Sequence, residues 1–362
     1  MYKWFYNKIS SKGSVADDSI HLLTEKEITY IKRRENITIF LAALIGAIMV
    51  LVLYLPQYWW PHLFPVNRFH VPFIKDTVEF SVSAFLYGML LVYAEIVLLT
   101  FLNIYCAHEI AFATGFINHQ TKFTTEKKQL LLTIGQEKKT KDIKQFGIDP
   151  YSGLSKGSVF LMNLFFTLKA TLSNLLFKIF VQRVLGRYAI REVLDMVGIP
   201  IFAFWNAWGT RKVLREARII IMGQTYLEHF KGDLSQFRKL NGSEKILLYD
   251  TLQYVAISKR DYHKNHYYLT KLVLEQFEIA LEKNHIISPD YAQRLNACAE
   301  DFKKLNEKIM LIGFVLDGSF SVREKARLKA LNKNNVITKK AEDVEMLAAN
   351  FIYGHGLSDQ KL

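Results

Sequence analysis

Cysteine is nearly missing: Cys106 and Cys298 are the only two in 362 residues. They lie far apart with no metal-type spacing, which excludes a disulfide scaffold and fits a mainly reducing environment. The local motifs of common chemistries are missing too. There is no glycine-rich Walker loop ending in lysine, no nucleophile elbow and no HExxH pair, so phosphate transfer, acyl transfer and zinc proteolysis have no motif to rest on. No catalytic residue and no cofactor are expected. Acidic residues are in short supply, 34 against 47 lysines and arginines, for a formal net charge of +13. Such an excess favours anionic partners, and beside membrane spans it is most economically read as attraction to lipid headgroups. A cleavable leader is not expected, because Asp17, Asp18 and the charged run Glu25 to Glu35 precede the first apolar segment.

Two long apolar stretches stand in the first third. Ile37 to Leu55 carries no charge, and Phe80 to Cys106 carries only Glu95. Each is close to or above the roughly 20 residues that a helix needs to cross about 30 Å of hydrocarbon. Hydrophobic residues at 50% and aromatics at 14% are high for a soluble protein, whereas 22% charged residues are too many for a polytopic transporter. Most of the chain should therefore face water. The expected fold is all-α, an integral membrane protein with a two-helix transmembrane hairpin and cytoplasmic helical bundle domains. The hairpin takes 37–107, with spans at 37–55 and 80–104 and the loop 56–79 outside. Lysines and arginines set this orientation: Lys26, Lys32, Arg33 and Arg34 crowd the entry to the first span, and Lys122, Lys127 and Lys128 follow the second. The loop has only Arg68 and Lys75. Both termini are expected in the cytoplasm of a bacterium, with the spans in its inner membrane. Residues 1–36 form an amphipathic cytoplasmic segment, its Tyr2, Trp4, Phe5 and Tyr6 grazing the inner leaflet, while Tyr58, Trp59 and Trp60 mark an outer interfacial belt.

Ala42 and Gly46 in the first span, and Ala84 and Gly88 in the second, place small residues four apart and would let the spans approach closely. Glu95 is an ionisable group at membrane depth. A carboxylate there costs about 2.5 kcal/mol or more on insertion scales and marks either pairing or a pathway. Bonds to Tyr93, Asn103 or a neighbouring protomer, and an ion or proton role, all stay open.

Residues 108–157 read as a cytoplasmic helix and a basic linker, an exposed connection leading into Ile148 to Tyr151. In the next segment, 158–240, Leu161, Leu164, Leu168, Leu172, Leu175 and Ile179 recur three or four apart, an amphipathic helix. It is either a core helix of a soluble domain or a helix in the cytoplasmic interface, with Lys169, Lys178, Arg183 and Arg187 near headgroups. The apolar block Met196 to Thr210 is short for a span and is interrupted by Gly198 and Pro200. A buried or shallow membrane-dipping element is expected, followed by a new charged helix from Arg211. Arg211 and Lys212 join the candidates for membrane or phosphate contact. The order Ile199-Pro200, small and aromatic residues around Asn206, then Thr210-Arg211-Lys212 and Arg215-Glu216-Ala217-Arg218 resembles the EcsC family over roughly 148–224. That resemblance implies a helical, membrane-associated bacterial protein without an established catalytic mechanism.

Residues 241–362 read as a soluble helical unit. Ser288-Pro289 looks like a cap before a first-turn proline, Ser321 with Glu324 spells a capping box, and a helix is expected from Tyr267 to Leu281. The phrase Phe314-Val315-Leu316-Asp317-Gly318-Ser319-Phe320-Ser321 with Glu324 resembles the turn of TerB-like helical domains. Acidic residues in such turns are associated with divalent metal in that family, which implies Asp317 and Glu324 as oxygen ligands. The matching first turn instead holds Lys259, Arg260, His263 and His266, and the two histidines are expected at the surface.

The function expected from these readings is a membrane-anchored scaffold or partner-binding protein without catalytic activity. The resemblances imply a setting in envelope-stress or transport-associated assemblies. Its partners would be the lipid bilayer and either another protein or further copies of itself; nucleic acid is not expected. Two alternatives stand beside it: a homo-oligomeric channel or ion pathway using Glu95, and a metal-responsive sensor acting through the C-terminal domain.

Overall fold

A computed structural model of the chain describes residues 23–71, 76–117, 145–150, 152, 155, 157, 191–260, 263–355 and 357. They divide into two compact units. The first holds the described residues of 32–107 and 161–214, the second those of 11–31, 108–160 and 215–362. Apart from one hairpin, the regular structure among the described residues is helical.

In the first unit, helix α1 (Glu25–Trp59) and helix α2 (Val82–Ala113) carry the two apolar stretches. Both are long and apolar enough to cross a membrane. None of the apolar window of α2 and only 22% of that of α1 is buried inside the protein, which distinguishes them from the core helices of a soluble fold. Pro56 lies inside the last turns of α1. A helical proline offers no N–H to the carbonyl four residues earlier. That carbonyl, Val52 O, accepts the Tyr87 hydroxyl at 2.7 Å instead, which ties α2 to α1.

A short 3-10 turn at Pro61–Leu63 leads to strands β1 (Asn67–Val71) and β2 (Asp76–Phe80). They pair antiparallel, Asn67 opposite Phe80 and Val71 opposite Asp76. The all-α expectation holds for the fold as a whole, and this hairpin is a local addition within the loop 56–79, where NRFHV and DTVEF carry β-branched and aromatic residues that favour strands.

Helix α3 (Arg191–Ser235) is continuous over 45 residues and runs through Pro200. The sequence suggested a break at Gly198 and Pro200 and a fresh helix at Arg211. Packing on both sides of the proline overrides its propensity: Gly198 lies against Val50, and Phe202 against Gly46.

The second unit is a helical bundle with its own core. It comprises the later part of α3 with α4 (Gly242–Lys259), α5 (Lys264–Gln276), α6 (Tyr291–Asn296), α7 (Glu300–Val315), α8 (Val322–Lys333) and α9 (Ala341–Tyr353). Helix α7 is central and packs on α4 and α9; all residues from Ile309 to Leu316 are buried. Gly313 makes the crossing with α4 possible, since a Cβ there would lie 2.7 Å from Val255 Cγ1. The capping box of Ser321 and Glu324 forms at the start of α8, and further boxes form at Asn241 with Glu244 and His263 with His266.

Three local expectations are corrected. Residues 145–150 are not an exposed connection: Phe146 and Ile148 are buried in the bundle core, and Gln253 exchanges hydrogen bonds with the Asp149 backbone at 3.2 and 2.9 Å. Ser288 caps no helix, because α6 starts at Tyr291 after a turn, and Ser288 N–H instead donates to Asp250 at 3.3 Å. The helix expected to reach Leu281 stops at Gln276, where Glu278 takes a positive φ of 49°.

Candidate functional site

In the first unit the one carboxylate in the apolar stretch Phe80 to Cys106 meets the lone amide of the apolar half of α3. Asn206 Nδ2 donates to Glu95 Oε1 at 2.6 Å. The small residue that makes room for this bond is Gly46 of α1. A Cβ on Gly46 would lie 2.7 Å from Phe202 O and 2.8 Å from Asn206 Nδ2. Three helices thus meet at one layer: α1 gives bare backbone, α2 a carboxylate, α3 an amide. The close approach at Gly46 is therefore to α3. At Gly88 the nearest atom to a built Cβ is Leu53 Cδ1 at 3.8 Å, an ordinary contact between α2 and α1; Ala42 is fully buried and Ala84 half-buried. Tyr93, a candidate partner for Glu95 by sequence, is exposed, and Asn103 is buried.

In the second unit the acidic turn between α7 and α8 encloses a cation that the chain supplies itself. Lys259 ends α4 with a side chain only 2% exposed. Its Nζ donates to Phe314 O at 2.8 Å, Asp317 Oδ1 at 2.8 Å and Ser319 O at 2.9 Å, and it pairs with the Glu324 carboxylate. The turn shapes the cage: Gly318 has φ 64°, Asp317 Oδ1 also accepts from Ser319 N–H at 3.0 Å, and Glu324 Oε2 accepts from Ser321 N–H at 2.7 Å. Burial works to raise the Asp317 carboxyl, but the Lys259 ammonium outweighs it and holds the group below its ordinary range. The oxygens proposed by sequence as metal ligands are thus spent on an ammonium. No group of three or more His, Cys, Asp and Glu side chains arranged to hold a metal ion occurs among the described residues.

The expectation of surface histidines is corrected as well. His266 is 1% exposed, its Nε2 2.8 Å from Gly313 O, and burial pushes its pKa down to about 3. Its Nδ1 accepts from His263 N–H at 3.3 Å, so the proton belongs on Nε2. His263 caps α5 by accepting from Asn265 N–H, with Nε2 2.9 Å from Glu216 Oε1.

A further titratable cluster escaped sequence reasoning. The buried His285 lies between two carboxylates, Nε2 2.8 Å from Asp250 Oδ1 and Nδ1 2.8 Å from Glu282 Oε2. Its ring stacks on Tyr249 with centroids 3.8 Å apart. Burial works against its charged form, but hydrogen bonds to Asp250 and Glu282 outweigh that and raise the pKa above the ordinary 6.5. Glu282 is three residues from His285, but no spacing rule brings in Asp250, 35 residues away.

Arg211 and Lys212 are exposed, and Lys212 Nζ stands 5.7 Å from the Trp208 ring centroid. Lys169, Lys178, Arg183 and Arg187, with the amphipathic pattern that contains them, lie outside the described residues, as do residues 1–22 of the expected N-terminal segment and the basic run 118–144; from Glu25 onward that segment is corrected, because it is continuous with the first span in α1. Asn206 could have been found as the one amide of an apolar block, the counterpart of the one carboxylate in the second span. Lys259 could have been found by setting the basic first turn against the acidic second one. No protein-family model matches the chain, and no curated protein or solved structure matches it.

Proposed function

We propose that the protein is a membrane-anchored scaffold, α1 and α2 holding it in the bilayer of a bacterial inner membrane while its helical bundle binds a protein partner on the cytoplasmic side. The observation that carries this reading is the exposure of the two apolar helices, 22% of the α1 window and none of the α2 window being buried, a surface suited to lipid. Positive residues flanking the spans support termini in the cytoplasm. The bundle offers a hollow of about 210 Å³ lined by Ser152, Tyr254, Ile257, Ser258, Ile287 and Arg327, with the 76% exposed Ile286 at its rim. Apolar floor with one guanidinium suits a peptide or helix of a partner. A role in envelope-stress or transport-associated assemblies belongs to the proposal through the EcsC-like and TerB-like resemblances alone. The metal-sensor alternative is disfavoured by Lys259, whose ammonium takes the oxygens a divalent ion would need. An ion pathway through Glu95 has against it the direct bond to Asn206.

The test is a crosslinking pull-down of the tagged, detergent-solubilised protein from its native membrane, coupled to mass measurement of the particle. A defined heteromeric complex is expected. A homo-oligomer without partner would overturn the scaffold reading in favour of a Glu95 pathway.

A further inference from the structure

The direction of α3 beside α1 follows from two contacts inside the first unit. Gly198 faces Val50, its Cβ position 3.5 Å from Val50 Cγ1, while Phe202 and Asn206, further along α3, face Gly46. Advancing along α3 means retreating along α1, so the two helices are antiparallel. The outward face of this part of α3 is aromatic: Phe202, Phe204, Trp205 and Trp208 are 40–57% exposed, comparable to Leu86 at 58% on α2. Arg211 and Lys212 follow directly. An apolar aromatic face ending in tryptophan and then cations is the order met where a helix leaves hydrocarbon for headgroups. The bond from Asn206 to Glu95 also gains by immersion, because both groups would otherwise exchange it for water.

We infer that residues 198–212 of α3 are the embedded part of a third membrane helix, seated against α1 and α2, whose start at Arg191 to Asp195 lies at the headgroups of the side that holds the loop 56–79 and whose Trp208 to Lys212 lie at those of the opposite side. The inference rests on the reading of α1 and α2 as membrane spans. Since α1 runs toward the loop side, its antiparallel neighbour starts there.

The experiment uses the full chain in sealed spheroplasts, with Cys106→Ser and Cys298→Ser and one new cysteine at a time: Tyr58→Cys, Glu192→Cys, Asp195→Cys or Lys212→Cys. A membrane-impermeant maleimide is applied before and after permeabilisation. Positions 192 and 195 are expected to label with position 58 from one side, and position 212 from the other. Labelling of 192 and 195 together with 212, opposite to 58, overturns the inference while leaving the hairpin intact. Labelling of 58 and 212 from the same side instead sinks the membrane reading on which it rests. A disulfide formed on oxidation between Val50→Cys and Gly198→Cys, in an otherwise cysteine-free chain, checks that the pairing survives substitution. Its absence counts against the antiparallel seat of α3.

Discussion

Glu95, half-buried among the helices of the first unit, and Lys259, buried in the second, are answered differently. Glu95 accepts from a neutral amide, reached across a gap that Gly46 leaves open. Lys259 is surrounded by two carboxylates and two backbone carbonyls. The difference lies in what the backbone can offer. Around Glu95 the backbone carbonyls belong to continuous helices and cannot donate to a carboxylate, so the bond comes from a side chain, the Asn206 amide. At the turn between α7 and α8 free carbonyls and a capping carboxylate converge, and a full cage for a cation can be built. A single interhelical bond orients helices, whereas a cage stabilises the turn that forms it.

This contrast is sharpest at Lys259. Lys259→Met leaves Asp317 and Glu324 buried without their counter-charge and is expected to destabilise by about 3–5 kcal/mol, read by chemical denaturation of the solubilised protein. Adding Asp317→Asn and Glu324→Gln should restore much of the loss. A loss below about 1 kcal/mol would mean that the cage is solvated and would erase the distinction from Glu95. Calcium or magnesium should leave the melting temperature of the parent protein unchanged, because the ammonium already holds the oxygens. The depressed Asp317 carboxyl adds stability that is present above its ordinary range and is lost as pH falls through the folded value.

Next in size is Gly46→Val. Its side chain would meet the Phe202 carbonyl and the Asn206 amide, and forced separation of α3 from α1 should cost about 1–3 kcal/mol in a detergent unfolding titration. Gly88→Ala, with only Leu53 at van der Waals distance, should be nearly silent, and equal effects at both glycines would contradict the assignment of Gly46 to α3. A smaller loss, about 0.6–2 kcal/mol, is expected for Asn206→Leu, with Glu95→Gln milder because an amide can still accept the bond. The smallest effect concerns His285. Its raised pKa gives stability that is complete below pH 6.5 and fades as pH rises through the folded value. His285→Phe keeps the stack on Tyr249 but should flatten this alkaline decline; an unchanged slope in pH-dependent melts would show that another group titrates.

Helices were legible wherever local pattern decides them. The uncharged run of the first span and the capping box at Ser321 both follow from residues within a few positions of one another. Reading failed where distant residues decide. Pro200 stands in the interior of α3 because Val50 and Gly46 pack on either side of it. His266, in a basic and tyrosine-rich turn, is pulled into the core by the Gly313 carbonyl. Phe146 and Ile148 look like part of a lysine-rich linker until Tyr249 and Gln253 are brought against them.

By itself the sequence determined that this chain has two helices long and apolar enough for a bilayer and a helical, charged remainder, because hydrophobic run length and capping are properties of neighbouring residues. Tertiary structure alone decided what the polar outliers do. It gave Glu95 to Asn206, gave Gly46 to α3, and placed Lys259 where two acidic residues had suggested a metal. The physical reason is that a buried charge takes its partner from whatever the packed fold brings within hydrogen-bonding distance, and that distance is set by helix packing, not by spacing along the chain.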